Sequence, residues 1–156
     1  MNSSFESGQY NPGLIPSGWF TVVNRTGNVF WDGNIAQSGS KSVKVKTSAE
    51  SIEIISESFP ISPNNIYYLQ CFVKSLKSKH ATVNLAFMAF DKKGKKVNYY
   101  YDMIYPEDSW TKLSFRTGFL DNEARYARVI VILPQNAGTD FWIDNVECFV
   151  AHKYTK

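Results

Sequence analysis

A chain of 156 residues has the usual size of one domain and can bury a core without disulfide or metal staples. Its formal charge of +3 is spread along the sequence apart from the short stretch Asp91 to Lys96, too weak a signal for a nucleic-acid partner. Apolar runs such as Val129 to Leu133 fall far short of the roughly 18 to 20 residues that cross a bilayer. A soluble protein with no membrane partner is therefore expected, and no basic start followed by an apolar stretch marks a signal peptide.

The aromatic share is 15%, and Gly, Pro, Asn and Ser punctuate the apolar runs, which is the composition of a β protein with some aromatic surface. Almost every apolar run is short and alternates with period two, so helix is expected to be nearly absent. In chain order, strands are expected over 42–47, 51–58, 66–75, 82–91, 96–104, 111–117, 126–133 and 139–150. The intervening Ser62-Pro63-Asn64-Asn65, Asp91-Lys92-Lys93-Gly94, Pro106-Glu107-Asp108 and Gln135-Asn136-Ala137-Gly138 carry turn chemistry. About eight to ten strands at this spacing imply an all-β sandwich of two antiparallel sheets. Residues 1–150 form that sandwich, and 151–156 read as a tail or the start of a linker.

Alternation also assigns faces, since residues two apart share a side of a sheet. Tyr67, Leu69, Cys71 and Val73 should face the core, leaving Tyr68, Gln70, Phe72 and Lys74 outside. Val83, Leu85, Phe87 and Ala89 should point inward against Asn84, Ala86, Met88 and Phe90, and Ala127, Val129, Val131 and Leu133 inward against Arg128, Ile130 and Ile132. These outward sides mix amides and a guanidinium with aromatic and aliphatic groups, whereas an ordinary solvent face is more charged, so one sheet should present a binding surface. Tyr99, Tyr100 and Tyr101 must alternate, so at most two of them serve one face.

Cys71 and Cys148 lie in strand-like runs with no CxxC spacing and read as two packed thiols rather than a bridge, with their separation deciding. His80 and His152 are the only histidines, which leaves no histidine cluster for zinc, and neither GxSxG nor GxxxxGKS occurs. Nucleophilic and nucleotide chemistry are thereby disfavoured, while a pair of glycosidase carboxylates is not excluded by sequence.

Asn2-Ser3-Ser4-Phe5-Glu6-Ser7-Gly8, Pro16-Ser17-Gly18-Trp19 and Ser38-Gly39-Ser40-Lys41-Ser42-Val43-Lys44-Val45 occur in that order. They are followed by Ile66-Tyr67-Tyr68-Leu69, Val73-Lys74-Ser75, Trp110-Thr111-Lys112-Leu113-Ser114-Phe115 and Phe141-Trp142-Ile143-Asp144-Asn145-Val146. The series resembles the carbohydrate-binding modules of the family 4/9, 16 and 22 group, galactose-binding-like jelly rolls, over nearly the whole chain. The resemblance implies a structural Ca2+ tying the first strand region to the last, held by Glu6, Asp144 and main-chain oxygens near Ser40 and Lys41. Calcium's preference for several hard oxygens agrees, and Asn145 stands where relatives often carry a second acid.

The resemblance also implies a polysaccharide or oligosaccharide ligand, of xylan, β-glucan or mannan type, in a groove on one sheet. Its polar and stacking positions fall on Arg128, Ile132 and Asn98. Ile132 cannot stack as an aromatic ring does, so that role passes to Phe72, Tyr100 or Trp31, with Gln70 and Asn84 as candidate hydroxyl partners. Trp19 and Trp110 read as packing residues. On this reading the protein is an extracellular or cell-surface ancillary module with no catalysis of its own, covalently linked to a catalytic or surface domain. A second reading is a structural or adhesion jelly roll of a phage tail or bacterial surface protein, its groove filled by a protein partner against Met88, Phe90, Ile130 and Ile132. A small glycosidase or lyase ranks last, because no acid pair remains once Glu6 and Asp144 bind calcium.

Overall fold

A computed structural model describes residues 3–7, 15–21, 27–76 and 81–154. Asn2 and Gly8 of the N-terminal motif, His80 and the last two residues of the expected tail lie outside them. The strands are β1 (Trp19–Phe20), β2 (Val29–Asp32), β3 (Ser42–Lys46), β4 (Ile52–Ser56), β5 (Phe59–Pro60) and β6 (Asn65–Ser75). They continue as β7 (Val83–Phe90), β8 (Lys96–Ile104), β9 (Thr111–Arg116), β10 (Tyr126–Leu133) and β11 (Asp140–Lys153). Among the described residues no helix is long and apolar enough to cross a membrane.

The strands build two antiparallel sheets, one ordered β1-β4-β10-β7-β8 with β5 added to β10, the other β2-β3-β11-β6-β9. From β6 onward the chain changes sheet at every connection except the β7–β8 hairpin, the path of a jelly roll. The inward positions that alternation assigned lie in the core: Leu69, Cys71 and Val73 of β6, Val83, Leu85, Phe87 and Ala89 of β7, and Ala127, Val129, Val131 and Leu133 of β10 are all solvent-inaccessible. Tyr67 stacks on Phe87 across the sandwich, with ring centroids 5.5 Å apart.

The eleven strands among the described residues exceed the expected number because β1, β2 and β5, of two, four and two residues, are too short for a periodic pattern to show. The boundary at residue 150 is also corrected. β11 continues to Lys153, pairing His152 with Ile66 and Lys153 with Asn65, so 151–154 belong to the sandwich. Tyr154 extends that docking, donating its N–H to Asn64 O at 3.1 Å and its hydroxyl to Pro63 O at 2.8 Å. Cys71 and Cys148 are both free thiols, as their packing in strands suggested.

Candidate functional site

Two features stand apart from ordinary packing. The first is at the N-terminal edge. Phe5 is fully buried, lies edge-on to Trp19 at 5.3 Å and accepts the Trp31 indole N–H at 2.6 Å through its carbonyl. Its φ of 57° is a left-handed conformation that a bulky side chain adopts only when its surroundings hold it there. That turn sends the next residue, Glu6, into the loop before β3. Ser40 N and Lys41 N donate to Glu6 Oε1 at 3.0 and 2.9 Å, and Ser40 Oγ donates to Oε2 at 2.8 Å. Gly39, at φ +63°, makes the approach possible, because a Cβ there would lie 2.5 Å from Oε1.

Asp144 of β11 reaches the same loop from the other end of the chain. Its fully buried carboxylate accepts the N–H groups of Gln37 at 2.8 Å, Ser38 at 3.2 Å and Asn145 at 2.7 Å. Asn145 occupies φ 48° at the irregularity between Asp144 and Glu147, and its amide bonds Gln37 Oε1 and Ser38 Oγ, tying the strand to the loop. Burial pushes the Asp144 carboxyl up against the pull of its amide donors, and the charge of Glu6 adds to the rise. Burial also pushes Glu6 up, but its Ser40 and Lys41 hydrogen bonds outweigh this and hold it below the ordinary value.

The four residues named for calcium are thus together: Glu6 with the donors Ser40 and Lys41, and Asp144 beside them. Among the described residues no three acidic, His or Cys side chains converge. A cation here would have two carboxylates and would draw its remaining ligands from main-chain or hydroxyl oxygens. The set fits calcium in chemical type: each carboxylate accepts three donors of about four possible, and the repelling pair is what a divalent cation relieves.

The second feature is the outer face of the β1-β4-β10-β7-β8 sheet. Register sets Phe20, Ile55, Ile130, Ala86 and Tyr101 in one row across five strands, about 20 Å at the usual strand spacing. The middle of the row is low, with Ala86 fully covered and Ile130 nearly so, while Phe20 and Tyr101 at its ends are 38% and 54% exposed. The row is therefore a trough with an aliphatic floor and aromatic walls. One neighbouring row holds Glu53, Ile132, Asn84 and Met103; the other holds Arg128, Met88 and Tyr99. Among the described residues Asn84 Oδ1 is buried without a hydrogen-bond partner. The Arg128 guanidinium lies 5.2 Å from the Phe20 ring centre. At one end the trough opens into a cleft of about 550 Å³ between Phe90, Tyr126, Arg128 and the β7–β8 hairpin.

Of the eight residues named for ligand binding, Asn84, Arg128 and Ile132 share this face. The others do not. Asn98 and Tyr100 lie opposite the core residues Ala89 and Phe87, so they take the inward side of β8: Asn98 accepts Asp121 N–H at 2.8 Å, and the Tyr100 hydroxyl donates to Phe119 O at 2.7 Å. Gln70 and Phe72 are outside, but on the other sheet, where Gln70 donates to Glu147 at 2.6 Å. Trp31 lies opposite the core residue Val43 and is tied into the N-terminal turn through Phe5. Sequence reasoning missed Phe20, Tyr99, Tyr101 and Tyr126. β8 is apolar in both phases, Val97, Tyr99, Tyr101 and Met103 against Tyr100 and Ile104, so alternation alone could not choose between Tyr100 and its neighbours.

No family model and no curated protein matches the chain. Solved structures do. The CBM22-1 xylan-binding domain of Paenibacillus barcinonensis Xyn10C superposes with a TM-score of 0.66 at 15% identity, covering 97% of this chain and 94% of that one. TmCBM61, solved in complex with β-1,4-galactotriose, gives 0.64 at 18% identity over 96% and 95%. A similar likeness, 0.68 at 15% identity, covers 96% of this chain but only 21% of bacteriophage CBA120 tailspike protein 4. With 96 to 97% of the chain matched, it has the two-sheet antiparallel β-sandwich fold of these solved modules.

Proposed function

We propose that this protein is a non-catalytic carbohydrate-binding module. It binds a stretch of xylan, β-glucan or mannan-type polysaccharide along the outer face of the β1-β4-β10-β7-β8 sheet and retains an attached enzyme or surface protein on that polymer outside the cell. The observation that carries the reading is the trough. Aromatic walls at Phe20 and Tyr101 suit pyranose rings, while the Arg128 donors suit hydroxyl groups. Neighbours of this fold described as xylan-binding or bound to galactotriose support it. An open, shallow site gives affinity of about 10 μM to 1 mM, and tethering raises the local concentration of whatever is attached. In the same proposal Glu6 and Asp144, with oxygens of the loop through Ser40 and Lys41, hold a structural calcium ion that fixes the N-terminal turn to β11.

The test is affinity electrophoresis in gels containing xylan, β-glucan, glucomannan or galactan. Tyr101→Ala and Phe20→Ala should weaken retention by the bound polymer about tenfold, whereas Phe72→Ala, on the opposite sheet, should leave it unchanged. Retention by no polymer defeats the reading. A second reading rests on the aliphatic floor of Ile55 and Ile130, with Met88 in the next row, and on the tailspike likeness: an adhesion or assembly domain whose trough takes a protein surface. Self-association in sedimentation experiments that Ile130→Asp abolishes, without polymer binding, would decide for it.

A further inference from the structure

Accepting that reading of the trough, the cleft at its end specifies the ligand further. Lys92 and Lys93 line this cleft with Arg128, Tyr126 and Phe90, and Asp91 lines it too. The hairpin carrying the lysines is preset. Asp91 Oδ1 accepts the N–H groups of Lys93 and Lys95 at 2.8 and 2.9 Å, and Gly94 turns at φ +82°. The local acid is thus held by the backbone of its own turn, and the hairpin sequence Asp91-Lys92-Lys93-Gly94-Lys95-Lys96 carries four lysines against that one aspartate. Glu57, beside the cleft-lining Ser58, turns its carboxylate toward Gly18, with Oε1 3.2 Å from where a Cβ there would stand. Arg128 is half-buried against the Phe20 ring and makes no ion pair among the described residues. One aromatic neighbour on a guanidinium face leaves its in-plane N–H fork for a planar anion, which a carboxylate fills with two parallel hydrogen bonds.

We infer that the natural ligand is an acidic polysaccharide, and that the cleft formed by Arg128 and the Lys92-Lys93 hairpin receives the carboxylate of a uronic acid residue while the trough takes the adjoining neutral backbone. Arg128 supplies the bidentate contact, and the lysines supply field and point charges at the rim, where the cleft walls focus them. A charge-assisted contact of this kind strengthens binding about tenfold over the same backbone without the acid.

The experiment is calorimetric titration and affinity electrophoresis of the full chain against a matched panel. Glucuronate-decorated xylan and polygalacturonate form the acidic arm, undecorated xylan, β-glucan, glucomannan and galactan the neutral arm, and sulfated galactan a third. Wild type is compared with Lys92→Gln/Lys93→Gln and with Lys112→Gln/Lys74→Gln, which removes equal charge from the opposite sheet. The inference expects an acidic polymer to bind about tenfold tighter than its neutral counterpart at low salt. That preference should be lost in the hairpin variant and kept in the opposite-sheet variant. Neutral polymers binding as well as acidic ones, with the hairpin variant unchanged, would overturn this inference and leave the carbohydrate reading standing. Equal losses in both double variants would reduce the effect to net charge and also overturn it. Preference for the sulfated polymer would overturn the carboxylate assignment. Binding of no polymer would remove the carbohydrate reading itself.

Discussion

Gly39 shows how much one residue can decide. Its φ of +63° already disfavours any side chain, and an added methyl would meet the Glu6 carboxylate 2.5 Å away. Gly39→Ala should therefore destabilise the protein by about 1 to 3 kcal/mol, measured by urea denaturation; an unchanged midpoint would show that the Glu6 contact is dispensable. The two cysteines make the opposite point, since their chemistry is suppressed by where they sit. Burial alone pushes both thiols up to about 12, so at pH 8 the native protein should resist alkylation by iodoacetamide while the urea-unfolded chain reacts. Rapid native labelling of either would contradict their placement against the core.

At the scale of the element, β11 is the most informative. It is the longest strand among the described residues, spanning 14; it carries Asp144 at a bulge and then continues past Val150, where a tail was expected to begin. The extension is anchored by its pairing with β6, by two Tyr154 hydrogen bonds and by the edge-on contact of Tyr154 with Phe119 at 5.1 Å. Truncation after Val150 should consequently cost about 1 to 3 kcal/mol, read as a melting temperature lowered by several degrees. A true linker could be removed without effect. The phase of β8 belongs to this scale too, because only its pairing with β7 puts Tyr99 and Tyr101 on the trough side and Tyr100 on the other.

For the whole molecule, the Glu6–Asp144 centre couples the N-terminal turn and β11 to pH and, under the proposed calcium site, to the metal. Without a cation, the raised Asp144 carboxyl means that the folded state binds that proton more tightly than the unfolded chain, so stability falls as pH rises from the ordinary aspartate value through the raised one. Glu6 acts in the opposite sense: its lowered value contributes stability above the ordinary glutamate range, lost as pH falls through the folded value. A bound calcium ion would favour the ionised Asp144 and so reverse the sign of its contribution. Calcium at one hundred times its dissociation constant should raise the melting temperature by roughly 5 to 10 °C at pH 7, with a smaller gain at acid pH and none in Asp144→Asn. Identical melting in EDTA and in calcium at pH 7 would dismiss the metal. Lys44, Lys74, Lys112 and Arg116, scattered in sequence, all emerge on the outer side of the β2-β3-β11-β6-β9 sheet, with Lys44 over Trp142 and Lys112 over Tyr68.

The sequence by itself determined the fold class, most strand positions and the composition of the core, because period-two alternation is a local signal and burial on one face enforces it residue by residue. It also marked Glu6, Asp144 and the loop between them, since ordered motif fragments survive as sequence. What only the tertiary structure decided was which outward residues share a surface. Gln70 and Phe72 alternate outward as cleanly as Asn84 and Arg128, yet they belong to the other sheet. Sheet membership and register are set by strands far apart in the chain, so the trough and its basic cleft come into being only when β1, β4, β10, β7 and β8 are laid side by side.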